Sequence, residues 1–141
     1  TFVGFFIPYK AVSKIGFPRG DLFIYYDDVE YQMRLKEAGY EILGIRESIV
    51  YHPYIMPENK KKFLGRNVLI PEMPKWKMYY WMRNNLLIRK GRKGRDFGYN
   101  FILEVYVLLK ILVFKKEEFG IACKGFLHGL FGVSGHLKGC P

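Results

Sequence analysis

The chain has 141 residues, half of them hydrophobic and 18% aromatic, which suits one packed domain and excludes a disordered chain. Lysine and arginine number 23 against 13 acidic residues, a formal net charge of +10. That excess favours partners that carry phosphate, whether nucleic acid, an anionic membrane or a phosphorylated small molecule, and does not choose among them.

The first residues, TFVGFFIP, are β-branched and aromatic and read as a strand ending at Pro8. Because Thr1 already lies inside that apolar run, the chain reads as a piece of a longer one. A short helix is predicted over Lys10–Ile15, stopped by Gly16. FPRGD at 17–21 is a turn, and LFIYY at 22–26 reads as a second short strand. DDVEYQMRLKEAGY is the clearest helix start. Asp27 or Asp28 suits the N-cap, Val29 and Met33 share a face, Glu30 and Arg34 pair at i,i+4, and Gly39 closes the helix as its C′ residue.

Two further strands are predicted, YEILGI at 40–45 and SIVYH at 48–52. Four prolines between 53 and 74, together with KKK at 60–62, mark a connector between a first region, 1–70, and a helical C-terminal region, 71–141. An aromatic-rich helix is expected from Lys75 to about Lys90, then the basic, glycine-broken loop RKGRKGR at 89–95. A second helix is expected from Phe97 to Lys116, and a glycine-rich tail over 120–139. The apolar run Phe97–Phe114 is interrupted by Asn100, Glu104 and Lys110. It falls short of the roughly 20 apolar residues of a spanning helix and reads as buried in protein or interfacial. Cys123 and Cys140 form no CxxC and have no histidine at ligand spacing, so they read as free thiols in a reducing compartment.

The Asp27–Asp28 pair is the strongest chemical feature. A carboxylate at a helix N-terminus is held by backbone donors and favoured in its charged form by the helix dipole, which suits a general base. The plainer alternative is an N-cap with a solvated neighbour.

In order along the chain stand Gly4, Gly16, Asp27–Asp28, Glu30, Arg34, Ala38–Gly39–Tyr40 and His52. This series resembles the acceptor-side half of family 2 glycosyltransferases, most of all the bacterial rhamnosyl- and galactofuranosyl-transferase branch. The resemblance covers residues 1–53 and extends more weakly to YYWMRNN at 79–85, which is like that family's aromatic-Arg-Asn helix. It implies an α/β fold, the C-terminal part of a GT-A nucleotide-diphospho-sugar transferase domain followed by a helical appendage. It implies also a single in-line displacement with inversion at the anomeric carbon of a nucleotide-sugar donor. In that reaction a base takes the acceptor proton while manganese or magnesium neutralises the leaving diphosphate.

By the same resemblance Asp28 is the base, Asp27 and Glu30 contact the acceptor, and His52 joins ligands in the other half of the domain to hold the metal. Arg34 has a structural reading, an ion pair with Glu30. The chain departs from the family in carrying no Asp-x-Asp motif and no glycine-rich nucleotide strand, so alone it is expected to be inactive.

The basic run Arg89, Lys90, Arg92, Lys93 and Arg95 stands beside Trp76, Tyr79, Tyr80 and Trp81. It reads as a solvated loop or as a contact for phosphate or anionic lipid, with no recognised nucleic-acid module. His128 and His136 take no role. The expected activity is sugar transfer to a glycan or lipid-linked acceptor in cell-surface polysaccharide synthesis, cytoplasmic and peripheral on the inner face of the membrane. The alternative is a non-catalytic basic module that docks to a membrane or an envelope-synthesis complex.

Overall fold

The computed structural model of the chain describes residues 4–51, 60–63, 65–69, 72–90, 92 and 95–137. These are mostly helical. In chain order come α1 (Tyr9–Ile15), a 3-10 turn (Gly20–Leu22), α2 (Asp27–Glu37), strands β1 (Lys60–Phe63) and β2 (Arg66–Leu69), then α3 (Lys75–Leu87), α4 (Arg95–Phe114) and α5 (Lys116–Phe131).

The expected α/β GT-A domain is therefore corrected. Among the described residues the only sheet is the antiparallel pair β1–β2, with Lys60 opposite Leu69 and Phe63 opposite Arg66. This hairpin occupies the stretch expected to be a connector, and Gly65, at φ 75°, supplies its left-handed turn residue. The described parts of the strands expected over 1–8, 22–26, 40–45 and 48–52 are not strands.

The physical reason is clearest at 22–26. A strand needs a neighbour to take its backbone groups, and here the carbonyls of Leu22, Ile24 and Tyr25 accept from the Asn84 side chain instead. Segments 4–8 and 40–51 pass near each other, since a Cβ on Gly4 would lie 2.8 Å from Val50 Cγ2, but they do not pair. Their apolar side chains Phe6, Leu43, Ile49 and Tyr51 stand in solvent.

The helices follow the local code more closely. α1 ends at Gly16, whose φ is 77°. α2 ends in a Schellman motif: Gly39 N–H donates to Lys36 O at 3.0 Å and Tyr40 N–H to Leu35 O at 3.0 Å, with Tyr40 packed against the cluster that contains Leu35. At its start the expected aspartate cap is replaced. Tyr26 is the N-cap, in the left-handed region and without a side-chain bond, and the helix opens on Asp27 itself.

The tail expected over 120–139 is instead helical to Phe131, with Gly132 as a left-handed C-cap. Its glycines are what let it pack. A Cβ on Gly125 would lie 2.5 Å from the Tyr79 carbonyl oxygen, and one on Gly129 would lie 2.4 Å from that of Arg83. Bare backbone at these positions brings α5 close against α3, and that packing outweighs glycine's poor helix propensity.

Among the described residues the core has three parts. Met78, Met82, Leu86, Ile111, Ala122 and Phe126 join α3, α4 and α5. Ala11, Tyr31 and Leu35 join α1 to α2. Leu22, Leu87 and Ile88 pack with Tyr26, Val29 and Met33, which seats α2 and the loop before it on the end of α3.

Candidate functional site

The loop before α2 is backbone-strained. Phe23, Tyr25 and Tyr26 have φ of 66°, 65° and 65°, a conformation that costs a bulky residue on the order of 1–3 kcal/mol at each position. Two adjacent polar side chains of α3 hold it there. Asn84 Nδ2 donates to the carbonyls of Leu22 (2.9 Å), Ile24 (2.8 Å) and Tyr25 (3.0 Å). Arg83 Nη2 donates to those of Asp21 (3.0 Å) and Leu22 (3.2 Å), its Nη1 to Gly135 O, and its Nε to Asn84 Oδ1 at 2.7 Å.

Arg83 is fully buried, and among the described residues no carboxylate pairs with it. Carbonyl dipoles and the faces of Tyr80 (4.8 Å) and Tyr79 (5.5 Å) meet its charge instead. The tail after α5 closes the arrangement. Gly135 N–H donates to Asp21 O at 3.1 Å, Leu137 N–H to the Tyr80 hydroxyl at 2.9 Å, and the His136 ring lies 4.7 Å from that of Phe23.

From this clamped loop emerge Asp27 and Asp28, both partly exposed in the first turn of α2. Asp28 Oδ1 accepts the Val29 N–H at 2.8 Å. Glu30 is not beside them in solvent; it is 3% exposed. Both its oxygens accept from Arg34 Nε at 3.0 Å, which is the ion pair expected from the i,i+4 spacing. Arg34 also donates to the carbonyls of Ile15 (2.6 Å) and Phe17 (2.9 Å), and the Tyr31 hydroxyl to that of Gly16 (2.9 Å). Together these satisfy the C-terminal carbonyls of α1 and lock it to α2.

The basic run divides. Arg92 donates to Glu37 at 2.6 Å and lies 3.9 Å from Glu30, and its bond holds the Glu37 carboxyl below the usual range. Arg89 donates to the Asn85 carbonyl at 2.8 Å and lies over the Tyr26 ring at 5.9 Å. Lys90 is exposed, Arg95 opens α4, and Lys93 lies outside the described residues, as does His52. Among the described residues no three of His, Cys, Asp or Glu come together as a metal site.

A second polar group lies on the other side of α3. Asn85 Nδ2 donates to Glu104 Oε1, while Glu104 Oε2 is buried without a hydrogen-bond partner among the described residues. Burial pushes the Glu104 carboxyl up to about 7, against the opposing effects of the Asn85 bond and Arg89. Burial, then the charge of Glu104, pushes the Tyr26 hydroxyl up to about 12.

The Arg83–Asn84 clamp is the feature that sequence reasoning missed. Its signal was present, as three consecutive polar residues, Arg83–Asn84–Asn85, within a helix that after Lys77 is otherwise apolar and aromatic. Compared with protein families, curated proteins and solved structures, the chain has no match.

Proposed function

We propose that this chain supplies the acceptor-activating side of an inverting glycosyltransferase. It would serve a nucleotide-sugar donor and a glycan or lipid-linked acceptor in cell-surface polysaccharide synthesis, on the cytoplasmic face of the membrane. The observation that carries the proposal is the clamp. Arg83 and Asn84 grip the carbonyls of residues 21–25 and hold Tyr25 and Tyr26 at positive φ, immediately before the Asp27–Asp28 pair. Glycine at these positions would relieve the strain if the loop served only to connect elements. Strain maintained by buried polar bonds beside an acidic helix start is the mark of a pre-organised site. The clamp also joins the two stretches that resemble the transferase family, 1–53 and 79–85.

In the proposed step an acceptor hydroxyl lies against Asp28. As its oxygen attacks the anomeric carbon, the proton passes to the Asp28 carboxylate and the bond to the nucleoside diphosphate breaks on the opposite side, with inversion. Asp27 orients the acceptor. Glu30, tied to Arg34, fixes the first turn of α2 rather than reaching substrate. Among the described residues no three of His, Cys, Asp or Glu come together as a metal site, so the manganese or magnesium that would neutralise the departing diphosphate would take its main ligands from the separate unit. With no Asp-x-Asp motif in the chain, the nucleotide contacts come from a separate unit. A function at this site does not depend on the α/β fold that the structure replaces.

The test is nucleoside diphosphate release from a panel of UDP- and dTDP-sugars, by a protein joining this chain to a nucleotide-binding unit. Asp28→Asn is expected to lower turnover by about 100-fold or more while leaving donor binding intact. Turnover near that of the wild type removes the base assignment, and no release with any donor removes the activity.

A further inference from the structure

We infer that the outward face of α4 docks onto the surface of an anionic lipid bilayer, with the helix axis in the membrane plane. Along α4, Tyr99, Ile102, Leu109 and Val113 recur at helical spacing and are 64%, 68%, 49% and 54% exposed, with Leu103 and Leu112 beside them. A continuous apolar stripe along a helix face marks a surface that is covered in use.

Spanning does not fit the packing. α4 is long and apolar enough to cross a membrane by composition. Its inner face, however, carries Glu104 against Asn85 of α3. Only Lys115 separates it from α5, which packs against it with Lys116, Glu117 and Glu118 in its first turn and Lys124 exposed at mid-helix. A perpendicular α4 would draw Glu104 and, because α5 folds back along α4 with Phe126 against Phe101, Lys124 into hydrocarbon. Lying flat, the helix buries only its outer stripe among the acyl chains, and Lys110, whose Nζ is 4.9 Å from the Tyr106 ring centre, can extend to the headgroups.

Charge selects the occupant. From Lys75 to Arg95, the residue on which α4 opens, the sequence has eight cations and no acidic residue; Arg83 is buried, Arg89 turns to the Asn85 carbonyl and Arg92 pairs with Glu37, while Lys75 stands exposed. Lys90 in that stretch is exposed. Such a segment beside an apolar face is complementary to anionic lipid. A second copy of the chain would bring another +10 of like charge to the same surface. This docking stands independently of the sugar-transfer proposal.

The experiment is flotation of the chain with vesicles of phosphatidylcholine mixed with phosphatidylglycerol, and with phosphatidylcholine alone. The chain is expected to float with the mixed vesicles, to bind the neutral ones far less, and to be released by alkaline carbonate. Ile102→Glu combined with Leu109→Glu should lower partitioning by roughly tenfold or more, with the helical circular dichroism unchanged. Ile102→Gln with Leu109→Gln gives the same reading should the charged pair unfold the chain. The inference is overturned by absent flotation of the wild type, by equal flotation of variants and wild type, or by retention through carbonate, which would mean spanning. It is also overturned by a stable dimer that the variants break while vesicles stay unbound, which would assign the face to a second copy.

Discussion

Gly129→Ala probes how closely α5 rides on α3. The added Cβ would sit 2.4 Å from the Arg83 carbonyl oxygen and 3.1 Å from Leu86 Cβ. The first distance is about 1 Å inside ordinary van der Waals contact, and the atom it meets is helix backbone that cannot swing aside. α5 must lift from α3, which loosens the cluster of Met78, Met82, Leu86 and Phe126. Overpacking of this kind costs about 1–3 kcal/mol, and a clash with backbone belongs near the top of that range. Alanine returns about 1 kcal/mol of helix propensity. The expected net loss is about 1–2 kcal/mol, seen as a fall in melting temperature of roughly 3–8 °C.

Gly120→Ala is the control. It lies in the same helix with nothing within 4 Å of the added atom, so it should stabilise by about 0.5–1 kcal/mol. Urea unfolding followed by far-UV circular dichroism compares the two. Equal stability of both variants would refute a tight α3–α5 approach, because only that approach separates the two sites.

Two further outcomes are expected from the polar groups on α3. Glu104 has its carboxyl raised from 4.5 to about 7, so folding favours its neutral form; that contribution is complete below its ordinary value and is lost as pH rises through about 7. Stability should fall between about pH 5 and pH 8 by on the order of 2–3 kcal/mol, and Glu104→Gln should flatten that slope; an unchanged pH dependence in the variant would assign it to other groups. Asn84→Ala leaves the carbonyls of Ile24 and Tyr25 without a side-chain donor and that of Leu22 with Arg83 alone, and should cost about 2–4 kcal/mol in chemical denaturation. Its effect should centre on the loop before α2, and amide hydrogen exchange at residues 22–28 no faster than in the wild type would contradict the clamp.

Local chemistry alone determined much of the helical framework. Gly16 and Gly39 end α1 and α2 where their sequence positions indicated, because only glycine enters the left-handed region without cost. Glu30 and Arg34 meet because four residues bring side chains together on a helix. Val29 and Met33, four apart, form one packed face for the same reason. These are short-range constraints, written within a few residues of where they act.

What the sequence did not disclose depends on partners distant along the chain. LFIYY has strand composition, but its carbonyls go to Arg83 and Asn84, roughly sixty residues away, and the segment becomes a strained loop. Gly125 and Gly129 look like part of a tail until α3 lies against them, when their missing side chains become the condition for contact. Glu30 and Arg89 look like surface charges and are drawn inward by partners that only the fold supplies. Periodicity and capping are local, so residue order determines them; burial and the destination of each backbone carbonyl are not, and the tertiary structure decides them.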